Sequence, residues 1–178
     1  WLQHQHRDKY WKHGSICENF DKIQCPVLAV SGWADGYSNA VFRLLNGLQV
    51  PRKGLIGPWS HKYPHYGEPG PAIDFLRECL RWWDHWLKGQ DTGVDKDPDY
   101  RAYLMDSVAP KRRLDKRPGR WIAEQKWPAK KIKTQTIHLA QGAALADEPS
   151  DFCVEVSSPH DCGAASGEYF PFAFGDEL

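Results

Sequence analysis

The chain has 178 residues, enough for one domain or parts of two. Hydrophobic residues make up 41%, which supports a packed core and excludes wholesale disorder. Lys plus Arg (23) balances Asp plus Glu (23), so no net field draws in nucleic acid or an anionic membrane.

No apolar run approaches the ~20 residues of a membrane span, and no signal peptide is visible after Trp1. The five cysteines (Cys17, Cys25, Cys79, Cys153 and Cys162) are an odd number without a small-scaffold spacing. They read as mostly reduced, which points to a cytoplasmic setting. A Cys153–Cys162 pair is the alternative for an exported protein. Nine tryptophans suit aromatic-lined cores, interfaces or pockets.

Residues 1–20 read as the end of a helical segment leading into a loop, with His4, His6 and His13 on the surface. Residues 26–33 are a short apolar run bounded by Pro26 and Gly32, as in a strand buried on both faces of a parallel sheet. Residues 38–48 show apolar positions at helical spacing, with Ser38 or Asn39 to cap the start and Gly47 to end it. Residues 53–59 form the next strand. Strand, helix and strand in this order predict a βαβ unit with a right-handed crossover.

Residues 72–88 form the strongest predicted helix. Ile73, Leu76, Leu80, Trp83 and Leu87 recur at intervals of three or four and define one apolar stripe, and Gly89 stops it. The polar, turn-prone stretch 91–98 then reads as a domain boundary. Beyond it lie short alternating strands at 100–105, 135–139 and 152–156, the pattern of an all-β sandwich or jelly roll that ends incomplete. The basic stretch around Lys111, Arg112 and Arg113 is flanked by prolines and reads as a solvated loop rather than a nucleic-acid patch.

Two residues stand where open parallel sheets place their chemistry, just past the carboxyl ends of strands. Asp35 follows the first strand in Gly32-Trp33-Ala34-Asp35-Gly36, and His61 follows the second in Gly57-Pro58-Trp59-Ser60-His61. A carboxylate so placed can fix the tautomer of a histidine ring, and the ring can act as general base for a serine and then as general acid. Each position alone also fits an ordinary turn residue. Their order, acid before histidine on consecutive strands, is that of α/β-hydrolases, whose serine precedes both. No serine here lies in Gly-x-Ser-x-Gly: Ser31, Ser60 and Ser166 all fail the pattern. The nucleophile is therefore expected upstream, outside this chain.

A metal site on His61, His65 and Asp35 is the chemical competitor, but Pro64 breaks the helix that its spacing would need. No Gly-x-Gly-x-x-Gly or Walker-type loop is present. The segment Trp82-Trp83-Asp84-His85-Trp86 lies inside the amphipathic helix and reads as packing rather than catalysis.

Three blocks taken together resemble the family of X-prolyl dipeptidyl-peptidases and cocaine esterase, α/β-hydrolases of the peptidase S15 type. They are Pro26-Val27-Leu28 with Gly32-Trp33-Ala34-Asp35-Gly36-Tyr37, then Gly57-Pro58-Trp59-Ser60-His61, then Trp83-Asp84-His85-Trp86-Leu87-Lys88-Gly89. The resemblance implies an α/β fold: the C-terminal part of an α/β-hydrolase domain followed by the start of an all-β jelly roll. Residues 1–20 would be the exit of a helical cap, 21–90 the end of the hydrolase domain and 98–178 an incomplete jelly roll. It further implies Asp35 as triad acid, His61 as triad base and Tyr37 as an aromatic wall of the acyl pocket. No metal or organic cofactor is implied. The partners would be a small-molecule ester, amide or peptide substrate, X-Pro dipeptidyl bonds included, with neither nucleic acid nor membrane. Two other classes stay open: a carbohydrate- or partner-binding module with a vestigial Asp/His pair, and a hydrolase of this fold with an aspartate nucleophile.

Overall fold

The computed structural model describes residues 1–109, 111, 114–141, 145–151, 153 and 155–160. A short helix α1 (Lys9–His13) opens the chain, capped by Asp8, whose carboxylate accepts the Tyr10 N–H at 2.9 Å. Two 3-10 turns, Ile16–Glu18 and Phe20–Lys22, lead into the sheet.

The central sheet has four strands in the order β1-β2-β3-β4. Strand β1 (Val27–Gly32) pairs parallel with β2 (Arg52–Gly57), in register from Val27↔Arg52 to Gly32↔Gly57. Helix α2 (Ser38–Gly47) makes the connection, so the predicted βαβ unit is present. Its buried residues Val41 and Leu45 press on the sheet where Gly54 has no side chain. A Cβ on Gly54 would meet Leu45 Cδ1 at 2.7 Å and Val41 Cγ1 at 3.0 Å. The core on this face joins Ala29, Val41, Leu45, Ile56, Tyr100 and Ala102. Phe42, Tyr100 and Trp127 close it as an aromatic cluster, with ring centroids 5.4, 5.2 and 4.8 Å apart. Pairs of this kind contribute about 0.5–1.5 kcal/mol beyond the area they bury.

The alternate residues of the strands point to the opposite face. There helix α3 (Phe75–Lys88) packs, with Asp74 as its N-cap and Gly89 in the left-handed region at its end (φ 68°). Trp82 is buried, and a small cavity lies between it and Leu28, Lys53, Glu78, Val94 and Arg101. Arg101 from the sheet grips Glu78 through a fork of two hydrogen bonds, 3.2 and 2.7 Å. Hence the protein is layered helix–sheet–helix, as expected for an α/β fold.

The stripe Leu76, Leu80, Trp83 and Leu87 does not face the sheet: all four are more than half exposed. The Arg101–Glu78 fork and Trp82 lie one to two positions around the helix from that stripe, and they set its rotation. Residues 91–98 lie in the crossover between β2 and the next strand. Strand β3 (Tyr100–Met105) pairs parallel with β2, and β4 (Gly119–Glu124) returns antiparallel to β3. Tyr100 and Ala102 complete the core beneath α2, so β3 belongs to the central sheet.

Farther on, β5 (His138–Leu139) and β6 (Leu145–Ala146) form a two-stranded antiparallel pair. The described residues do not show a jelly roll. In the predicted strand 152–156, Phe152 and Val154 lie outside the described residues, and Cys153, Glu155 and Val156 are not in a strand. Cys162 also lies outside them, and with it the expected alternative pairing to Cys153.

Candidate active site

The carboxyl ends of β1 and β2 are stitched together by backbone. Trp33 N–H donates to the Gly57 carbonyl at 2.9 Å, and Ala34 N–H donates to the Trp59 carbonyl at 3.1 Å. This close approach needs glycine at position 32, because a Cβ there would lie 1.9 Å from the Trp59 oxygen. Gly57 serves similarly, since a Cβ on it would enter the Trp59 ring at 2.4 Å. The Trp59 indole is buried and donates through Nε1 to the Pro71 carbonyl at 2.9 Å. The block Gly57-Pro58-Trp59 is thus a buried foundation under the loop that carries His61.

That loop is pinned at Ser60. Its N–H and its hydroxyl both donate to the Glu68 carbonyl, at 2.8 and 2.9 Å. His61 Nδ1 then lies 3.0 Å from Asp35 Oδ2. An ionised carboxylate can only accept, so with Asp35 charged the proton sits on Nδ1 and the reactive lone pair on Nε2. The Asp35 side chain is 12% exposed and that of His61 is 46% exposed, so a sheltered carboxylate backs a solvent-facing ring.

Both oxygens of Asp35 are held. Oδ1 accepts the Tyr37 N–H at 2.8 Å, which closes an Asx-turn at the entry to α2. Tyr37 therefore serves the site through its backbone, a role the sequence reading overlooked; the pattern Asp-Gly-x before a helix carried the signal. Its side chain is largely exposed. Trp33 ties the same rim to β3 through Nε1, which donates to the Tyr103 carbonyl at 2.7 Å.

His65 sits in an aromatic row with Tyr63, Tyr66 and Phe75, at centroid separations of 5.6, 4.4 and 6.4 Å. The arrangement at Asp35 and His61 is competent for general acid–base work on a group presented to the ring. Among the described residues, the cluster spaced for a metal ion is His85, Asp91 and Asp95, at a different place in the fold.

Residues 1–63 match the family model of X-Pro dipeptidyl-peptidases (S15 family). Two mycobacterial proteins, from Mycobacterium bovis and Mycobacterium tuberculosis, are each 30% identical to this chain over 132 residues. Both carry the name "Putative serine esterase", and each alignment covers 70% of this chain and 19% of the relative. The chain thus spans about a fifth of the length of the curated relatives it matches. The crystal structure of a CocE/NonD family hydrolase from Staphylococcus aureus superposes with a TM-score of 0.56, at 12% identity, over 79% of this chain and 23% of that one. At that identity the likeness speaks for the fold alone. Sequence over residues 1–63 and fold over most of the chain agree, and the protein resembles the X-prolyl dipeptidyl-peptidase and cocaine esterase family of α/β-hydrolases.

Proposed function

We propose that this chain supplies the acid and the base of a Ser-Asp-His triad in a longer serine hydrolase of esters or amides. The observation that carries the reading is the 3.0 Å contact between His61 Nδ1 and Asp35 Oδ2, at the carboxyl ends of two adjacent parallel strands. In this mechanism a serine elsewhere in the longer protein attacks a substrate carbonyl. His61 Nε2 takes the serine proton and passes it to the leaving group, and an acyl-enzyme forms. His61 next takes a proton from water, which attacks the acyl carbonyl, and returns that proton to the serine oxygen as the acyl–oxygen bond breaks and the acid leaves. Asp35 holds the ring in the required tautomer and stabilises the imidazolium during both steps. The exposed Tyr37 ring lines the acyl side of the pocket. Substrates are small-molecule esters, amides or peptides, X-Pro dipeptidyl bonds among them, and no cofactor takes part. Residues 1–20 are the exit of a cap over this site, and the setting is cytoplasmic.

The test uses the longer protein and a fluorophosphonate probe, which reports an activated serine by covalent labelling. Labelling of wild type and its near-complete loss in His61→Ala is the expected result. Equal labelling of the two proteins would remove His61 from the mechanism.

A further inference from the structure

We infer that His85, Asp91 and Asp95 form a binding site for a divalent transition-metal cation, Zn2+ by its donor set, which clasps the end of α3 to the crossover that follows. One ligand atom from each residue lies within 4.8 Å of the other two. A tetrahedral zinc with bonds of about 2.0–2.1 Å needs its ligands roughly 3.3 Å apart. Asp91 and Asp95 are exposed, so rotation of their side chains, with Asp91 Oδ2 left for the ion while Oδ1 keeps the Gly93 N–H, can close that gap. One imidazole and two carboxylates make a nitrogen–oxygen set. The imidazole favours zinc and its first-row neighbours over the hard cations magnesium and calcium. Two negative carboxylates neutralise the ion, and one coordination position stays open.

Three features support a built site over a chance cluster of surface acids. First, His85 Nδ1 is buried from solvent and has no hydrogen-bond partner among the described residues, an uncommon condition for a polar ring atom. A cation coordinated through Nδ1 would supply the missing partner. Second, the loop is fixed before any ion arrives. Thr92 Oγ1 donates to the Arg81 carbonyl at 2.9 Å, Arg81 Nη2 donates back to the Thr92 carbonyl at 3.3 Å, and Arg81 pairs with Asp97 at 3.2 Å. Third, the turn aims the two acids together. Asp91 Oδ1 accepts the Gly93 N–H at 3.2 Å, and Gly93 is in the left-handed region (φ 76°). Asp95 then falls in the 3-10 turn Val94–Lys96, which is anchored by the buried Val94.

The site is separate from the Asp35–His61 pair. Those residues stand at the carboxyl ends of β1 and β2. The 91–97 crossover lies at the amino ends, where Lys53 Nζ reaches the Asp95 carbonyl at 3.4 Å and Gly54 N–H donates to the Asp99 carbonyl at 2.8 Å. Its function is therefore to brace the fold, independent of the acyl-transfer reading.

The experiment titrates the 178-residue chain with Co2+, a spectroscopic stand-in for zinc, and repeats the titration by calorimetry with Zn2+. The variants are Asp91→Asn, Asp95→Asn and the double change. Both sites are exposed, so folding is preserved. A His85→Gln variant adds a third arm, with circular dichroism to verify its fold. The expected result is one equivalent bound, with d–d bands of a nitrogen–oxygen ligand set, and affinity weakened about tenfold or more in each single aspartate variant. Binding of equal strength by wild type and the double variant overturns the proposal. So does an intense thiolate-to-cobalt charge-transfer band, which would place the ion on cysteine.

Discussion

The carbonyl oxygen of Trp59 occupies the space that a side chain on Gly32 would require, 1.9 Å from the ideal Cβ position. The oxygen belongs to backbone and already accepts the Ala34 N–H, so it cannot swing aside. Gly32→Ala should therefore destabilise the chain by about 1–3 kcal/mol or more, as overpacking does. It should also loosen the Asp35–His61 contact, because both residues hang from this junction. Urea denaturation and the proton resonances of the His61 ring check the two effects. An unchanged midpoint would mean that the strand ends have freedom the junction does not show.

Asp35→Asn in the longer protein should reduce turnover by orders of magnitude, ~10⁴-fold by analogy with other triads. An amide can present its N–H to Nδ1 and so select the wrong tautomer. Fold stability should change little, since the Tyr37 N–H can still bond to the amide oxygen. Steady-state kinetics on a p-nitrophenyl ester decides it. Turnover within threefold of wild type would show that Asp35 does not act on the ring.

The 178-residue chain alone should not turn over p-nitrophenyl esters, because no serine in it stands in a Gly-x-Ser-x-Gly elbow. Spectrophotometric assay of the purified chain is sufficient. Hydrolysis that disappears in His61→Ala would contradict the expectation, since it would locate a complete machine within these residues.

Glu78 links acidity to stability. The Arg101 guanidinium, hydrogen-bonded to its carboxylate, holds the Glu78 carboxyl below its ordinary value of 4.5. The folded state thus favours the ionised form. That contribution is fully present above about pH 4.5 and is lost as pH falls through the lowered folded value. Glu78→Gln should be less stable than wild type at pH 7, and the gap should narrow as the solution is acidified. Chemical denaturation at a series of pH values reads this out; a gap independent of pH would refute the linkage.

Trp82 and Leu80 should respond differently to truncation, although their neighbouring positions look alike in composition. Trp82 is 5% exposed and Leu80 54% exposed. Trp82→Ala should cost about 3–5 kcal/mol. Leu80→Ala should fall within about 0.5 kcal/mol of wild type. Thermal unfolding of the two variants tests the rotation of α3, and the opposite ranking would reverse its assigned faces.

Much of the central sheet was legible because its signals are local. Val27-Leu28-Ala29-Val30 is an apolar run bounded by proline and glycine, and Gly89 has a left-handed stop to fill. Asp35 and His61 could be paired from the order of the two strands that carry them, and the structure brings their side chains together. The orientation of α3 was not legible. Periodicity locates an apolar stripe, but the rotation follows from Arg101, which lies 23 residues beyond Glu78. The same distance hid the place of β3. Its alternation fits any half-buried strand, and its pairing with β2 and the meeting of Tyr100 and Ala102 with α2 assign it to this sheet. The backbone role of Tyr37 was missed because an aromatic residue beside an acid draws attention to its ring.

The outward ridge of Leu76, Leu80, Trp83 and Leu87 carries a practical consequence for anyone purifying this polypeptide. Four greasy side chains along one helix form a sticky seam, and proteins with such seams clump as concentration rises. Light scattering should grow with dose, and replacing Leu80 and Leu87 by glutamate should keep the preparation clear without disturbing the sheet beneath.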